Sequence, residues 1–185
     1  MKKQTYEGAL KKKMAREFIF SFFKDTGIVG LAGPDINQYL SWCKTNKFID
    51  IEIWENSNSV MLHQLSSLKL ESDNDTKTNY KFGDILSAET NKNSVYDFDF
   101  FSTIHKSYDY IRKFKNERFV MTFCVRGVGS NETINEFFKC RSEKIIQEIE
   151  KDSPLHHFVI KGTFGKYIRV NYFDTCPMMM IAKIS

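Results

Sequence analysis

Two acids one residue apart, Asp97 and Asp99, stand in the apolar run Val95-Tyr96-Asp97-Phe98-Asp99-Phe100-Phe101. In an extended chain, residues i and i+2 project from the same side. A strand of this composition belongs in a core, where a carboxylate is costly unless a ligand or hydrogen-bond donors meet it. The pair is therefore a candidate for binding or catalysis, with Phe100 and Phe101 beside it as aromatic surfaces on which a flat group can stack. Three further positions qualify on chemistry. Gly33, with Ala32 before it and Asp35 after it, follows the short apolar run Ile28-Val29-Gly30-Leu31-Ala32. A residue without Cβ lets a ligand approach the main chain. Glu55 ends a second strand-like segment, 22 positions after Gly33. At about that spacing a carboxylate accepts hydrogen bonds from nucleotide ribose hydroxyls. Glu52, inside the segment, is the competing acid. Gly83-Asp84 follows a third segment and reads as a turn.

The rest of the chain narrows the chemistry. His63, His105, His156 and His157 are scattered, with no Ser or Cys partner for a hydrolase triad, and Ser102 lacks G-x-S-x-G surroundings. Cys43, Cys124, Cys140 and Cys176 form no C-x-x-C pair and have no His at zinc-ligand spacing, so no metal site is expected. Gly127-Val128-Gly129-Ser130 lacks the Lys of a phosphate-binding loop. Lys and Arg number 27 against 23 Asp and Glu, and the net charge of +4 is compatible with a nucleic-acid partner. No apolar run of membrane-spanning length occurs, and the N-terminus lacks a secretory apolar core. A cytoplasmic protein that avoids membranes is expected. The 185 residues, 42% hydrophobic and with 17 Phe, suffice for one domain, 1–185, around one substantial core. Nothing in the pattern specifies an oligomer.

The elements that must position these residues alternate. Tyr6, Leu10, Met14, Phe18 and Phe22 recur every four residues and, extended by Ala15 and Ile19, predict an amphipathic helix within 1–24, with Lys11, Lys12, Lys13 and Arg16 mainly on its other, solvated faces. Strands are expected over 28–32, 48–54, 80–82, 95–101 and 118–125. Helices are expected after each of them, entered at Pro34-Asp35 and at Asn56-Ser57 in the first two cases, and running over 108–114 and 134–149 in the last two. Glu71 to Thr78 reads as a polar loop. Lys166 to Phe173 and Met178 to Ile184 are strand-like and separated only by Asp174, Thr175, Cys176 and Pro177. That is too short for a parallel crossover and sufficient for a hairpin, 166–184. The alternation implies a single three-layer, Rossmann-like α/β domain, with a mostly parallel sheet ending in an antiparallel hairpin. Its ligand cleft should lie at the carboxyl ends of the strands.

These patches resemble the motifs of class I S-adenosylmethionine (SAM) methyltransferases, whose fold also ends in an antiparallel strand. Ala32-Gly33 is similar to motif I in its A-G-x-G form. Asp35 stands where a second Gly is common, and Val29 where many members carry an acid. Asp97 to Thr103 resembles the D-x-D-P-F-G-S run of tRNA guanine-N2 methyltransferases through Asp97, Asp99, Phe101 and Thr103. Phe100 replaces the Pro and Ser102 the Gly. The resemblance implies methyl transfer from SAM to an amine of a nucleic acid or related acceptor. It implies that Ala32, Gly33 and Asp35 face the methionine part of the cofactor, Glu55 the ribose, Asp84 the adenine and Asp97 the amino group. It also implies that Asp99 accepts a hydrogen bond from the acceptor amine, with Phe100 or Phe101 stacked on the acceptor. The departures keep a second reading open, a methyltransferase-like interaction module without catalysis. A viral or mobile-element source suits a compact chain rich in Lys, Asn, Ile and Phe. The single clear Gly of the first loop and the terminal hairpin speak against a nicotinamide-binding oxidoreductase.

Overall fold

The computed structural model describes residues 6–33, 36–45, 48, 50–70, 77–103, 107–124, 140–141, 155–173 and 177–185. In chain order the elements are α1 (Tyr6–Phe20), β1 (Gly27–Gly30), α2 (Asn37–Thr45), β2 (Asp50–Glu55), α3 (Asn58–Leu70), β3 (Lys77–Phe82), β4 (Ser94–Thr103), α4 (Tyr108–Phe114), β5 (Arg118–Cys124), β6 (Cys140–Arg141), β7 (His156–Gly162), β8 (Gly165–Phe173) and β9 (Pro177–Lys183). The strands form one nine-stranded sheet in the order β3-β2-β1-β4-β5-β9-β8-β7-β6. β1 to β5 are parallel, and β9 lies antiparallel between β5 and β8. The expected architecture of five parallel strands and a terminal antiparallel hairpin is therefore present, in the layered form that alternating strands and helices favour.

Strand alternation divides the core between the two faces. On one face Ile28, Ile51, Ile53, Val95 and Val120 pack with Ala15, Ile19 and Phe20 of α1, and with Tyr39 and Trp42 of α2. On the other, Val29, Tyr96, Phe98, Met121 and Phe123 pack with Phe114 of α4 and with Ile85 of a short 3-10 turn, Ile85–Ser87. Asp97 shares the parity of Val95 and faces α1 and α2. No helix among the described residues is long and apolar enough to cross a membrane.

Four expectations need correction. Helix α1 buries the face read from the sequence only in part: Ala15 and Ile19 are buried and Met14 and Phe18 pack against the core, but Leu10 and Phe22, the latter past the helix end at Phe20, are each 46% exposed. An α-helix turns about 100° per residue, so a strict four-residue repeat drifts about 40° per step and leaves the core at its ends. The buried face carries Lys12, Ala15, Arg16, Ile19 and Phe20, the i, i+3, i+4, i+7, i+8 pattern. Two cations expected in solvent are thus turned inward. Strand β3 begins at Lys77, inside the expected loop, because a half-exposed edge strand tolerates the polar sequence KTNYKF. The sheet also continues past the hairpin. β7 pairs with β8 through a tight turn at Thr163-Phe164, and β6 pairs with β7 at Cys140↔Gly162 and Arg141↔Lys161. The helix expected over 134–149 does not pass through Cys140-Arg141, and the rest of that span lies outside the described residues. Finally, Pro177 pairs with Phe173 as the first residue of β9 and is not part of the turn. Thr175, like Asp174 and Cys176, lies outside the described residues.

Candidate active site at the carboxyl ends of the parallel strands

Gly30 in β1 pairs with Ile53 of β2 on one side and with Asp97 of β4 on the other. Glu55 and Asp99 each lie two residues further along their strands, so they stand at one level and on one face. Neighbouring strands are about 4.8 Å apart, which separates the two positions by about 10 Å across β1. The loop Leu31-Ala32-Gly33 leaves β1 between them. Glu52, the rival acid, has the opposite parity and accepts from Trp54 Nε1 at 2.5 Å, so Glu55 is the acid that shares this face.

The acid pair is enclosed by side chains from α1 and α2. Asp97 is fully buried, and its Oδ2 accepts from an Arg16 guanidinium N–H and from Trp42 Nε1, the latter at 2.6 Å. Trp42 reaches it by lying across β1, where a Cβ on Gly30 would come within 2.9 Å of the indole. The Asp99 side chain is 3% exposed, and its Oδ2 takes three donors: Lys12 Nζ at 2.5 Å, Gln38 Nε2 at 2.5 Å and Arg16 Nη1 at 3.5 Å. The Arg16 guanidinium also lies 5.2 Å from the centre of the Phe20 ring. Two cations thus balance two anions in a largely buried cluster, of which Lys12 is the most exposed member at 14%. Burial raises the pKa of Asp97, and the neighbouring Asp99 adds to that, against Arg16 and the Trp42 hydrogen bond. Burial also works to raise Asp99, but Lys12 and Arg16 outweigh it and hold that carboxyl below the usual range. The remaining oxygens, Asp97 Oδ1 and Asp99 Oδ1, are buried and accept no hydrogen bond.

Two glutamines tie this cluster to Glu55. Gly33 has φ +75°, in the left-handed region, and a Cβ there would strike the Gln38 carboxamide. That same carboxamide donates to Asp99. On the other side, the buried Gln64 of α3 donates to the Gly33 carbonyl at 2.7 Å and to Glu55 Oε2 at 3.4 Å. Glu55 Oε1 accepts from the Ser57 main chain at 2.9 Å. The Tyr80 hydroxyl donates to Gln64, and burial, reinforced by the charge of Glu55, pushes its pKa up to about 12. A continuous row, Glu55–Gln64–Gly33–Gln38–Asp99–Lys12, therefore crosses the carboxyl ends of β2, β1 and β4.

The structure brings Glu55, Ala32, Gly33, Asp97 and Asp99 together. Ala32 is buried, and its carbonyl accepts from Gln38 N at 3.2 Å as α2 begins. Asp35 lies outside the described residues. Asp84 is exposed beyond β3, where Gly83 has φ +141° and donates its N–H to the Glu55 carbonyl at 3.0 Å. The Asp84 carboxylate caps the 3-10 turn, accepting from Leu86 N at 2.9 Å and from the Tyr110 hydroxyl at 3.4 Å. Of Phe100 and Phe101 only the backbone is described. Between Asp99↔Thr122 and Thr103↔Cys124, β4 advances four residues while β5 advances two, so these residues sit in an irregular, bulged stretch. Such bulges are frequent beside active sites. Among the described residues no group of three metal-ligating side chains occurs.

Residues not singled out from the sequence hold the site together: Lys12, Arg16, Gln38, Trp42, Gln64 and Tyr80. Lys12 and Arg16 had a signal, because they complete a helical face with Ala15 and Ile19. Gln64 stands in α3 near Met61, Leu65 and Leu68, and only the tertiary contact with Glu55 distinguishes it.

No protein-family model and no curated protein matches the sequence. Solved structures do share its fold. M. jannaschii TYW2 in complex with AdoMet superposes with a TM-score of 0.59 at 12% identity, over 97% of this chain and 77% of that one. An rRNA methylase from Streptococcus thermophilus gives 0.53 at 11% identity, over 92% and 93%. M. jannaschii tRNA m1G37 methyltransferase gives 0.54 at 12% identity, over 95% of this chain and 50% of its own. The fold is that of the class I, Rossmann-like methyltransferases.

Proposed function

We propose that this chain is a SAM-dependent methyltransferase that transfers a methyl group to an amine of a nucleic acid. The observation that carries the proposal is that Glu55 and Asp99 stand level on one face about 10 Å apart, with the loop Leu31-Ala32-Gly33 leaving β1 between them. That length, with a carboxylate acceptor at each end, suits a nucleoside carrying an amino-acid tail, whose hydroxyls and ammonium donate. The residues fit such a cofactor in two further respects. Gly33 turns the chain in the left-handed region and leaves room for the Gln38 carboxamide that holds Asp99, and Asp99 Oδ1 is a buried acceptor without a donor.

SAM, when bound, supplies an electrophilic methyl group on a sulfonium. The chain's own residues bind and align. Glu55 takes the ribose hydroxyls, Ala32, Gly33 and Asp35 line the amino-acid part, and Asp84 takes the adenine amine. Asp97 is occupied by Arg16 and Trp42, so it holds the cluster, and the contact with the cofactor's amino group passes to Asp99. Because Lys12 and Arg16 keep its pKa down, Asp99 stays ionised and acts as a fixed negative charge, not as a proton store. A preorganised charge of that sign favours the positive charge that grows on an acceptor nitrogen as its bond to carbon forms. The resemblance of 97–103 assigns stacking on a base taken out of its helix to Phe100 or Phe101, the residues that follow Asp99. A nucleic-acid acceptor is supported by the net charge of +4 and by the names of structural relatives, an rRNA methylase and a tRNA m1G37 methyltransferase.

The test is calorimetry and thermal shift with SAM and its demethylated product, followed by labelled SAM with pooled RNA, DNA and protein. At a hundredfold the dissociation constant, SAM should stabilise the fold by ~2.7 kcal/mol. Label should enter nucleic acid and fall by roughly 10²-fold in Asp99→Asn. Absence of any shift with either ligand at millimolar concentration refutes the proposal. Binding without labelling of any pool favours the interaction module.

A further inference from the structure

The apolar repeat read from the sequence in α1 is not exhausted by the core. Phe22, just past the helix end, is 46% exposed, and its ring stands 5.4 Å from that of Phe18, edge to face. Phe18 in turn lies 4.7 Å from the ring of His157 in β7. Three rings thus follow one another from the end of α1 onto the part of the sheet beyond the hairpin. The register ties this place to the candidate active site: Asp99 pairs with Thr122, Thr122 with Met180, Met180 with Val170 and Val170 with His157. His157 is therefore level with Asp99, four strands away on the side opposite Glu55, at about 19 Å. Cations border the rings. His157, Val159 and Lys161 alternate along one face of β7, and Val159 packs against the core that holds Ala15 and Ile19 of α1. Lys161 stands directly opposite Lys166 of β8 in the register, and Arg141 of β6 directly opposite Lys161. Lys161 and Lys166 are both exposed. Like charges facing each other on neighbouring strands destabilise a sheet, and an anion laid across them removes that cost.

We propose that the flank of α1 ending at Phe22, with the face of β7 and β8 beside it, binds single-stranded nucleic acid, the strand that adjoins the acceptor nucleotide. Phe22, backed by Phe18 and His157, stacks on a base, and Lys161 and Lys166 meet the phosphates. Exposed aromatic rings bordered by cations suit such a strand, because its bases present free faces and its backbone is an anion. Glu17 is the only acid between Lys11 and Lys24, and it lies 3.7 Å from Lys13. A second copy of the chain fits this surface less well, because a two-fold contact sets the same cationic patch against itself. The proposal rests on the reading of the acceptor as a nucleic acid, and it adds a surface about 19 Å from Asp99 that the cofactor does not reach.

Fluorescence anisotropy without SAM tests it, using a labelled RNA of about 12 nucleotides, single-stranded or annealed to its complement. Wild type should prefer the single strand. Phe22→Ser should weaken that binding by about 5- to 150-fold, the range of one lost base–aromatic stack. Lys161→Gln with Lys166→Gln should weaken it too, and should reduce the slope of log affinity against log salt by about 1.4, the share of two phosphate contacts. Both variants should melt as cooperatively as wild type. Equal affinity of wild type and both variants overturns the proposal, and so does a preference for duplex or an absence of binding by wild type. Self-association of wild type in sedimentation, lost in Phe22→Ser, would give the surface to a second copy and overturn it as well. Should Phe22→Ser not fold, the lysine variant and ultraviolet crosslinking of wild type decide, because crosslinks confined to segments outside 18–22 and 157–166 exclude the site. Single-strand binding here without labelling of any nucleic acid removes the methyl-transfer reading and leaves the surface standing. Labelling with equal substrate affinity in wild type and both variants removes the surface alone.

Discussion

Replacing Arg16 by Met should destabilise the protein by about 3–5 kcal/mol, far more than loss of a helix-surface cation, which is usually worth under about 1 kcal/mol. Arg16 is 3% exposed and its partner Asp97 is fully buried, so the substitution leaves an uncompensated carboxylate in the core. Trp42 Nε1 still donates to Asp97 at 2.6 Å, a hydrogen bond to a charged group worth about 1.5–3 kcal/mol, which places the loss toward the lower end. The pH dependence carries the signature. Burial already raises the Asp97 pKa, with Arg16 the main opposing influence, so Arg16→Met raises it further. A carboxyl whose folded pKa lies above its unfolded value of about 3.9 favours the fold below that value, and the benefit is lost as pH rises through the folded pKa. The gap between Arg16→Met and wild type should therefore narrow as pH falls from 7 toward 4. Removing both charges, in Arg16→Met with Asp97→Leu, should recover most of the loss, because a buried pair can be replaced by apolar groups at little net change. Urea unfolding of wild type, the single variant and the double variant across pH is the assay. A single-variant loss under about 1 kcal/mol, or a double variant no better than the single, would refute the buried cluster.

Three other outcomes follow from the site. Gly33→Ala must place a Cβ at φ +75° against the Gln38 carboxamide, and the left-handed conformation alone should cost about 1–2 kcal/mol in thermal unfolding. Glu55→Ala should weaken S-adenosylhomocysteine and 5′-methylthioadenosine alike, by at least about 10-fold in calorimetry, because both carry the ribose that this carboxylate would hold. Asp99 is held below the usual carboxylate range, so it stays charged through the mildly acidic region. SAM affinity should thus be flat from about pH 7 to about pH 5, below the range where the ligand's own α-amino group titrates, and its acid limb should lie below the ordinary carboxylate value of about 3.9. An acid limb centred well above pH 5 would contradict the depressed Asp99.

The element order and the approximate level of the candidate residues follow from local sequence. Apolar runs such as Ile28 to Ala32 and Arg118 to Val125 mark buried strands, and the four-residue gap before Met178 demands a hairpin wherever the chain goes. Alternation of strand and helix then restricts the topology to a parallel sheet with its cleft at the strand ends. The i, i+2 spacing put Asp97 and Asp99 on one side, and the interval from Gly33 to Glu55 spans one helix and the strand after it. Local spacing does not encode what approaches from another element. Whether Asp97 meets a ligand or Arg16 depends on how α1 is rotated about its axis, and that rotation is set by packing Ala15, Ile19 and Phe20 against the sheet. The same apolar stripe would bury different neighbours under a turn of about 40°. Gln64 illustrates the point in reverse, since an amide in an amphipathic helix has no signature until Gly33 O and Glu55 lie within its reach. β6 and β7 escaped because a two-residue strand carries no period, and because β7 joins the sheet through partners, not through propensity. Composition, period and spacing act along the chain and are legible from it. Burial, pairing and charge compensation act across the chain, and here the tertiary fold met the two acids with cations and donors of α1 and α2: Asp97 with Arg16 and Trp42, Asp99 with Lys12, Arg16 and Gln38.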